Sequence, residues 1–413
     1  MSNQKDSTGS IPLNIIKNKD DTSFYAGTLP KGCQHCIKGG KLVIFITGLC
    51  PQRCYYCPVS EEKFAKDRIF ANEREITNQN EQESIKELID EAKLMDATGA
   101  GITGGDPLAV LKRCTTYITV LKKTFGKDFH IHLYTPMKLV TKETLAALHK
   151  AGLDEIRFHP DLDNMDMWPR LKLATEFNWD IGLEIPCLPD KKEQTISLID
   201  YAKDFVSFVN LNELEFSDTT VSHYKLSEHN YVPKNDTSYG VKGSAELGLE
   251  LIKYSKQQGY DKNPGLTIYF CPSRLKDKTQ MGNRMKRRAN NVKLLGDIVT
   301  SEGTLVRGII YLKELAPGFG YNKQIKEIAK DKIKCQKLLE QLQEAKEQIE
   351  NLSKSQETTI NQEIMIDERK LRIITSKNFV TKNAQKLKQI DLLPAIVEEY
   401  PSYDSLELEI EFL

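Results

Sequence analysis

The sequence of 413 residues predicts an α/β protein: a partial (β/α)6 TIM-like barrel followed by a C-terminal α+β extension with a long charged helical insert. Three observations lead there. Short apolar runs alternate with amphipathic stretches from about residue 41 to about residue 271, the pattern of a parallel sheet with right-handed crossovers. Six such units follow one another, which favours an arc or barrel over an open doubly wound sheet. After residue 271 the alternation stops, and basic and charged helical sequence takes over.

The runs LVIFITG, GAGITGG, FHIHLYT, DEIRFHP, DIGLEIP and FVNLNELEF read as buried strands, with LTIYF as a later one. Between them, ESIKELIDEAKLMDA, DPLAVLKRCTTYITVLKKTFG, KETLAALHKAG, WPRLKLATEFN and QTISLIDYAKDFV have helical periodicity. No G-x-G-x-x-G follows the first strand, which speaks against dinucleotide binding. The expected organisation is an N-terminal segment with a C-x2-C knuckle over 1–40 and the barrel over 41–271. A basic helix and strand pair over 272–321, a helical insert over 322–365 and C-terminal strands capping the barrel over 366–413 follow. In the insert Ile325, Ile328, Cys335, Leu339, Leu342, Ile349 and Leu352 recur at three- and four-residue steps. Lys332 and Lys346 interrupt that seam, so a helical hairpin or a helix lying on the core is expected rather than a coiled coil.

Lys+Arg and Asp+Glu balance at 58 each, so the chain has no global electrostatic footprint for nucleic acid. No apolar run reaches the roughly 20 residues that span a bilayer, and the polar N-terminus lacks a signal-peptide core. A cytoplasmic protein is expected. Its nine cysteines then point to metal binding or chemistry rather than disulfides. Cys114, Cys187 and Cys335 are scattered and read as ordinary thiols.

GLCPQRCYYCPVS, behind the first strand, places Cys50, Cys54 and Cys57 in C-x3-C-x2-C spacing. Structural zinc normally takes four ligands in two pairs. Three thiolates in one loop leave a metal position open. TGGDPLAV, residues 103–110, closes the second strand; on its own Gly104-Gly105-Asp106-Pro107 is an ordinary strand-to-helix turn with Pro early in the helix.

Together, these two elements resemble the radical S-adenosylmethionine superfamily, over about residues 41–215. The resemblance implies that Cys50, Cys54 and Cys57 hold a 4Fe–4S cluster whose free iron chelates S-adenosylmethionine. One-electron cleavage then gives a 5′-deoxyadenosyl radical that abstracts hydrogen, in an oxygen-sensitive enzyme fed by a ferredoxin- or flavodoxin-type donor. It implies further that Gly104, Gly105, Asp106 and Pro107 receive the methionine amino group, although Asp106 replaces the longer Glu of the family. Tyr56 matches the residue whose backbone contacts adenine. Glu184, near the adenine segment of the fifth strand, and Arg157 and His159, at the fourth, are cofactor-binding candidates. AGLDEIRFHP, NLNELE and EEYPSYDSLELEIEF also resemble an archaeal-type group related to pyruvate formate-lyase activating enzymes.

Cys33 and Cys36 in KGCQHCIKGG, with Cys271 after LTIYF, are candidates for a second centre, an auxiliary iron–sulfur cluster or zinc. A redox pair and inert thiols are the alternatives. His130 and His132 share a strand face, as do Glu213 and Glu215 beside Asn212; no catalytic acid or base is assigned. Arg274, Lys276, Lys278, Arg284, Lys286, Arg287 and Arg288 form a basic segment suited to RNA phosphates, with a solvated helix face as the plainer alternative. The leading expectation is a radical enzyme acting on an unidentified substrate, a macromolecule such as tRNA or a sizeable metabolite. A glycyl-radical activating enzyme acting on a partner protein and a non-enzymatic iron–sulfur protein are the alternatives.

Overall fold

The computed structural model describes residues 14–18, 21–217, 219, 224–236, 238–262, 265–354 and 363–413; parts of the expected N-terminal segment and of the helical insert lie outside them. The chain divides into two compact units, Met1–Arg284 and Met285–Leu413.

In the first unit, β1 (Asn14–Asn18) and β2 (Asp21–Ala26) precede a short helix, α1 (Lys31–Ile37). β3 (Lys41–Phe45) leads through a long loop to the hairpin β4 (Ile69–Ala71) and β5 (Arg74–Ile76). The alternation then runs α2 (Glu81–Leu94), β6 (Gly99–Thr103), α3 (Leu111–Phe125), β7 (His130–Thr135), α4 (Lys142–Ala151) and β8 (Glu155–Phe158). It continues with α5 (Leu171–Ala174), β9 (Asp180–Cys187), α6 (Lys192–Ala202) and β10 (Phe208–Glu213). A small hairpin of β11 (Pro233–Asn235) and β12 (Ser238–Val241), then α7 (Ser244–Gln257) and β13 (Thr267–Cys271), complete it.

The main sheet follows the open path β1-β2-β13-β10-β9-β8-β7-β6-β3-β4-β5. The six expected strands are parallel neighbours, and β13 extends them to seven by pairing in parallel with β10, Asn212 facing Cys271. Antiparallel β2 and β4 flank this arc. Buried Ile44, Ile102, Leu133, Ile156, Leu183 and Leu211 share one core with Leu88, Leu121, Leu148 and Leu198 of the helices. Local signals fix the helix ends: Asn80 accepts from two amides at the start of α2, and Thr141 and Thr144 cap α4 reciprocally. The helix expected over WPRLKLATEFN is shorter than expected: a 3-10 turn, Met165–Arg170, runs into only four α-helical residues, Leu171–Ala174, and Pro169, which has no N–H, sits inside that turn.

A π-helical turn, Leu275–Gln280, leads into α8 (Met281–Val292), which crosses the boundary between the units. The second unit holds β14 (Ile298–Val299), β15 (Leu305–Leu312), α9 (Tyr321–Ile328), α10 (Lys332–Lys354), β16 (Met365–Asp367), β17 (Arg372–Thr375), α11 (Lys377–Gln389), β18 (Leu392–Glu399) and β19 (Glu407–Phe412). Its antiparallel sheet runs β16-β17-β15-β18-β19, with β14 on β15 around the Ser301-Glu302-Gly303 turn. Leu338, Leu342, Ala345 and Ile349 of α10 are buried in one core with Ile309, Ile373 and Val397 of the strands. Ile325 and Ile328 of α9 are buried in the same core, so both described helices of the insert lie on it.

Candidate active site at the strand ends

The loop after β3 is built by close backbone approach. Gly48 exchanges hydrogen bonds with the far end of the loop, its N–H to Lys66 O at 2.8 Å and its carbonyl from Ala65 N–H at 3.0 Å. A Cβ at Gly48 would lie 1.6 Å from Lys63 O. Asp67 accepts from Thr47 at 2.9 Å and from both ends of the Arg113 fork, at 2.7 and 2.9 Å, pinning the loop to α3. This loop carries Cys50, Cys54 and Cys57, all half-buried, with Cys57 N–H donating to Cys54 O at 3.0 Å.

The glycine turn after β6 is laced to the same loop. Gly105 N–H donates to Thr47 O and Asp106 N–H to Leu49 O, each at 2.7 Å. A Cβ on Gly105 would stand 2.3 Å from Leu49 O and 3.0 Å from Cys50 Cβ. Gly104 adopts φ +143 with Thr47 O 2.4 Å from where its Cβ would be. The two glycines are therefore required for the turn to touch the cysteine loop.

These elements line a cavity of about 650 Å³ that includes the carboxyl ends of the strands and reaches inward past His132 to Lys41 and Cys36. Cys50, Cys54, Cys57, Tyr56, Gly104 and Gly105 border it, as do His159 and Glu184. Asp106 and Pro107 are buried behind the turn instead. The Asp106 Oδ1 caps the following 3-10 turn through Leu108 N–H at 3.0 Å and accepts from the Thr135 hydroxyl at 3.1 Å. Its Oδ2 is buried without a protein partner, and burial pushes the carboxyl up to about 6.

His159 is fixed by two bonds: Nδ1–H donates to Glu184 O at 2.7 Å, and Nε2 accepts from the Tyr56 hydroxyl at 2.9 Å. Burial lowers its pKa, which agrees with this neutral tautomer. Glu184 is already well served: Oε2 takes Arg157 at 2.9 Å and Asn210 at 2.7 Å, and Oε1 takes Asn212 at 2.7 Å. Arg157 is 2% exposed and also grips buried Glu155 at 2.5 Å, so it is committed to the interior and does not border the cavity. Glu213 accepts twice from Ser273 at 2.9 Å, and Glu215 pairs with Lys276 at 2.5 Å.

Sequence reasoning missed Lys41, which lies buried among the strands and donates to His130 Nδ1 at 2.7 Å. Burial, then Lys41, holds His130 down to about 3, so that imidazole is neutral. His132 is also buried, with Nε2 3.0 Å from the Tyr134 hydroxyl. The only signal for Lys41 was a lysine opening an apolar strand.

Cys33 and Cys36 do not sit in a loop knuckle. Both lie on α1, one turn apart on one face. The neighbouring glycine is there for packing: a Cβ at Gly32 would meet Arg157 at 2.4 Å and Glu155 at 2.6 Å. Cys33 and Cys271 share a packed cluster with Tyr269 and Leu275, and Cys36 borders the cavity. The basic segment is partly consumed internally: Lys276 holds Glu215, Arg284 holds Glu73, and buried Arg288 donates to Pro401 O.

Residues 44–204 match the family model of the Radical SAM superfamily. A protein of Methanocaldococcus jannaschii, provisionally named a glycyl-radical enzyme activating enzyme, is 41% identical over 303 residues, covering 70% of this chain and 76% of its own length. Among solved structures, Streptococcus suis SuiB bound to S-adenosylmethionine is 14% identical with a TM-score of 0.38, over 57% of this chain and 50% of its own. Escherichia coli coproporphyrinogen III oxidase, a radical SAM enzyme, is 12% identical with a TM-score of 0.32, over 57% of this chain and 58% of its own. The chain thus spans between half and three-fifths of the length of these solved proteins.

Proposed function

This chain belongs to the radical S-adenosylmethionine superfamily and is an enzyme of that class, and from that premise we propose that Cys50, Cys54 and Cys57 hold a 4Fe–4S cluster at the mouth of the strand-end cavity. The observation that carries the reading is the joint one: three thiols on one loop bordering a cavity, laced to a glycine turn that borders it too. The donor set fits the group. Burial raises all three thiols, Cys54 to about 12, and a bound metal centre would favour their thiolate forms. When bound, the cluster with S-adenosylmethionine supplies one-electron reductive cleavage and hydrogen-atom abstraction.

Gly104 and Gly105 present backbone to the cofactor, Tyr56 and His159 form one wall, and Glu184 with its three donors ties β9 to the adjacent strands β8 and β10. The unpartnered Asp106 Oδ2 lies behind the glycine turn and acts on the cofactor through that turn. Among the substrate readings, a glycyl radical placed on a partner protein is favoured over tRNA. The archaeal relative carries an activating-enzyme name, and part of the basic segment expected to meet RNA is bonded within the chain. A ferredoxin- or flavodoxin-type donor would supply the electron. No described helix is long and apolar enough to cross a membrane, and nine free thiols suit a reducing cytoplasm.

The test is anaerobic reconstitution followed by 5′-deoxyadenosine analysis with dithionite and S-adenosylmethionine. Release of the nucleoside, abolished in Cys54→Ala, is expected. Equal release by the variant would sink the assignment. Salt-sensitive binding to tRNA, without any partner protein that becomes radical-bearing, would reverse the choice of substrate.

A further inference from the structure

The three remaining thiols near the cavity come from distant parts of the chain. α1 touches the beginnings of several strands: Gly32 N–H donates to Glu155 at 3.1 Å, His35 stacks on His130, and His35 Nδ1 lies 2.8 Å from Thr98 Oγ1. That seating turns Cys33 inward and Cys36 to the cavity. Cys271 arrives on the last parallel strand, and Gln280, which also borders the cavity, donates to its sulfur at 3.7 Å. Arg157 Nη2 donates to the Cys33 sulfur at 3.5 Å.

We propose that Cys33, Cys36 and Cys271 bind a second iron–sulfur cluster beside the cavity, with one iron corner left without a thiolate of this chain. Three features separate this trio from inert cysteines. N–H donors, one of them a guanidinium, point at two of the sulfurs, an arrangement that stabilises thiolate and cluster sulfur. Cys114, by contrast, is a lone buried thiol bonded to the Pro107 carbonyl. Tyr269, Leu275, Leu29 and Ile37 pack around Cys33 and Cys271 and shield them from water. Cys36 of the trio borders the cavity that receives the first cluster, as does Gln280 beside Cys271, so a vacant iron corner could meet a substrate donor atom there.

The spacing favours a cluster over zinc. Tetrahedral zinc at about 2.3 Å from each sulfur draws thiolates to about 3.8 Å from one another. Among the described residues, only His130, Glu155 and Asp180 bring three ligand atoms within 4.8 Å of one another. Neither cysteine trio is drawn together that tightly, and the Cys50, Cys54 and Cys57 set is the one already assigned to a cubane. A polynuclear centre accommodates the wider separation.

The experiment measures iron, acid-labile sulfide and zinc on the full chain after anaerobic reconstitution. It compares wild type with two variants, Cys50→Ser/Cys54→Ser/Cys57→Ser and Cys33→Ser/Cys36→Ser/Cys271→Ser. Wild type should hold about eight irons with matching sulfide, and each triple variant about four. Retention by the first variant does not depend on the first cluster, so failure of one assignment leaves the other measurable. A first variant with no iron, or wild type with one zinc and about four irons, overturns the proposal. Cys33 and Cys271 are buried, so Cys36→Ser alone and a spin count on reduced wild type guard against misfolding. Two cluster signals support the assignment, and a single signal, unchanged in Cys36→Ser, refutes it.

Discussion

Asp106→Asn tests how the glycine turn is held. The wild-type carboxylate is fully buried, with one oxygen bonded to Leu108 N–H and Thr135 and the other without a protein partner. Desolvation lifts its pKa from 3.8 to about 6, against the smaller opposing pull of those two bonds. The folded state therefore binds the proton more tightly than the unfolded chain. Stability from this group is fully present below about pH 4 and is lost as pH rises through about 6. Roughly two units at 1.36 kcal/mol each set a ceiling of about 3 kcal/mol on the penalty at neutral pH.

Asparagine keeps the accepting oxygen of the cap and removes the charge. At pH 7 the variant should be more stable than wild type by about 1–3 kcal/mol, a margin that closes between pH 6 and 4. Denaturant midpoints of the cluster-free chain across that range measure it. At the same time S-adenosylmethionine affinity should fall in the reconstituted enzyme, because the negative charge behind the turn is gone. Equal midpoints at pH 7, or a margin that widens toward pH 4, would refute the desolvation argument.

Three further outcomes follow from the geometry. Gly105→Ala places a carbon 2.3 Å from Leu49 O; moving the loop by about 1 Å should cut 5′-deoxyadenosine formation on the order of 100-fold while circular dichroism is unchanged. Arg157→Met strands buried Glu155 and leaves Glu184 without its cation, and should cost about 3–5 kcal/mol by denaturant unfolding. Leu342→Ala, at a fully buried position of α10, should cost about 2–5 kcal/mol, whereas a solvated helix would lose almost nothing.

Much of this architecture was legible because strand–helix alternation is local. Each of the six barrel runs, the Cys50–Cys57 loop and the glycine turn could be read from a window of a dozen residues. α1 escaped because a seven-residue helix has too few turns to show a period, and Gly32 lowers its propensity. α11 and β18 escaped in a charged tail where Pro394 disguises a strand. The fates of Arg157, Glu184 and Lys41 were illegible for another reason. Apart from Glu155, on the same strand as Arg157, the partners described lie on other strands of the sheet, and register across strands is set by the fold as a whole. Alternation told which side of a strand Glu213 and Glu215 occupy, but not that Ser273 and Lys276 would meet them.

The seating of α1 also has a consequence in time. Thr28 bonds Thr267, 239 positions away; Cys33 reaches Asn210 across 177, and Gly32 reaches Glu155 across 123. Contacts of such sequence separation form late, because long loops must close before they are rewarded. During synthesis this segment leaves the ribosome ahead of the strands that bind it. It must wait, with Cys33 and Cys36 in solvent, until β13 has been made. Maturation of the enzyme thus has a built-in order: the arc of strands first, the N-terminal plug last.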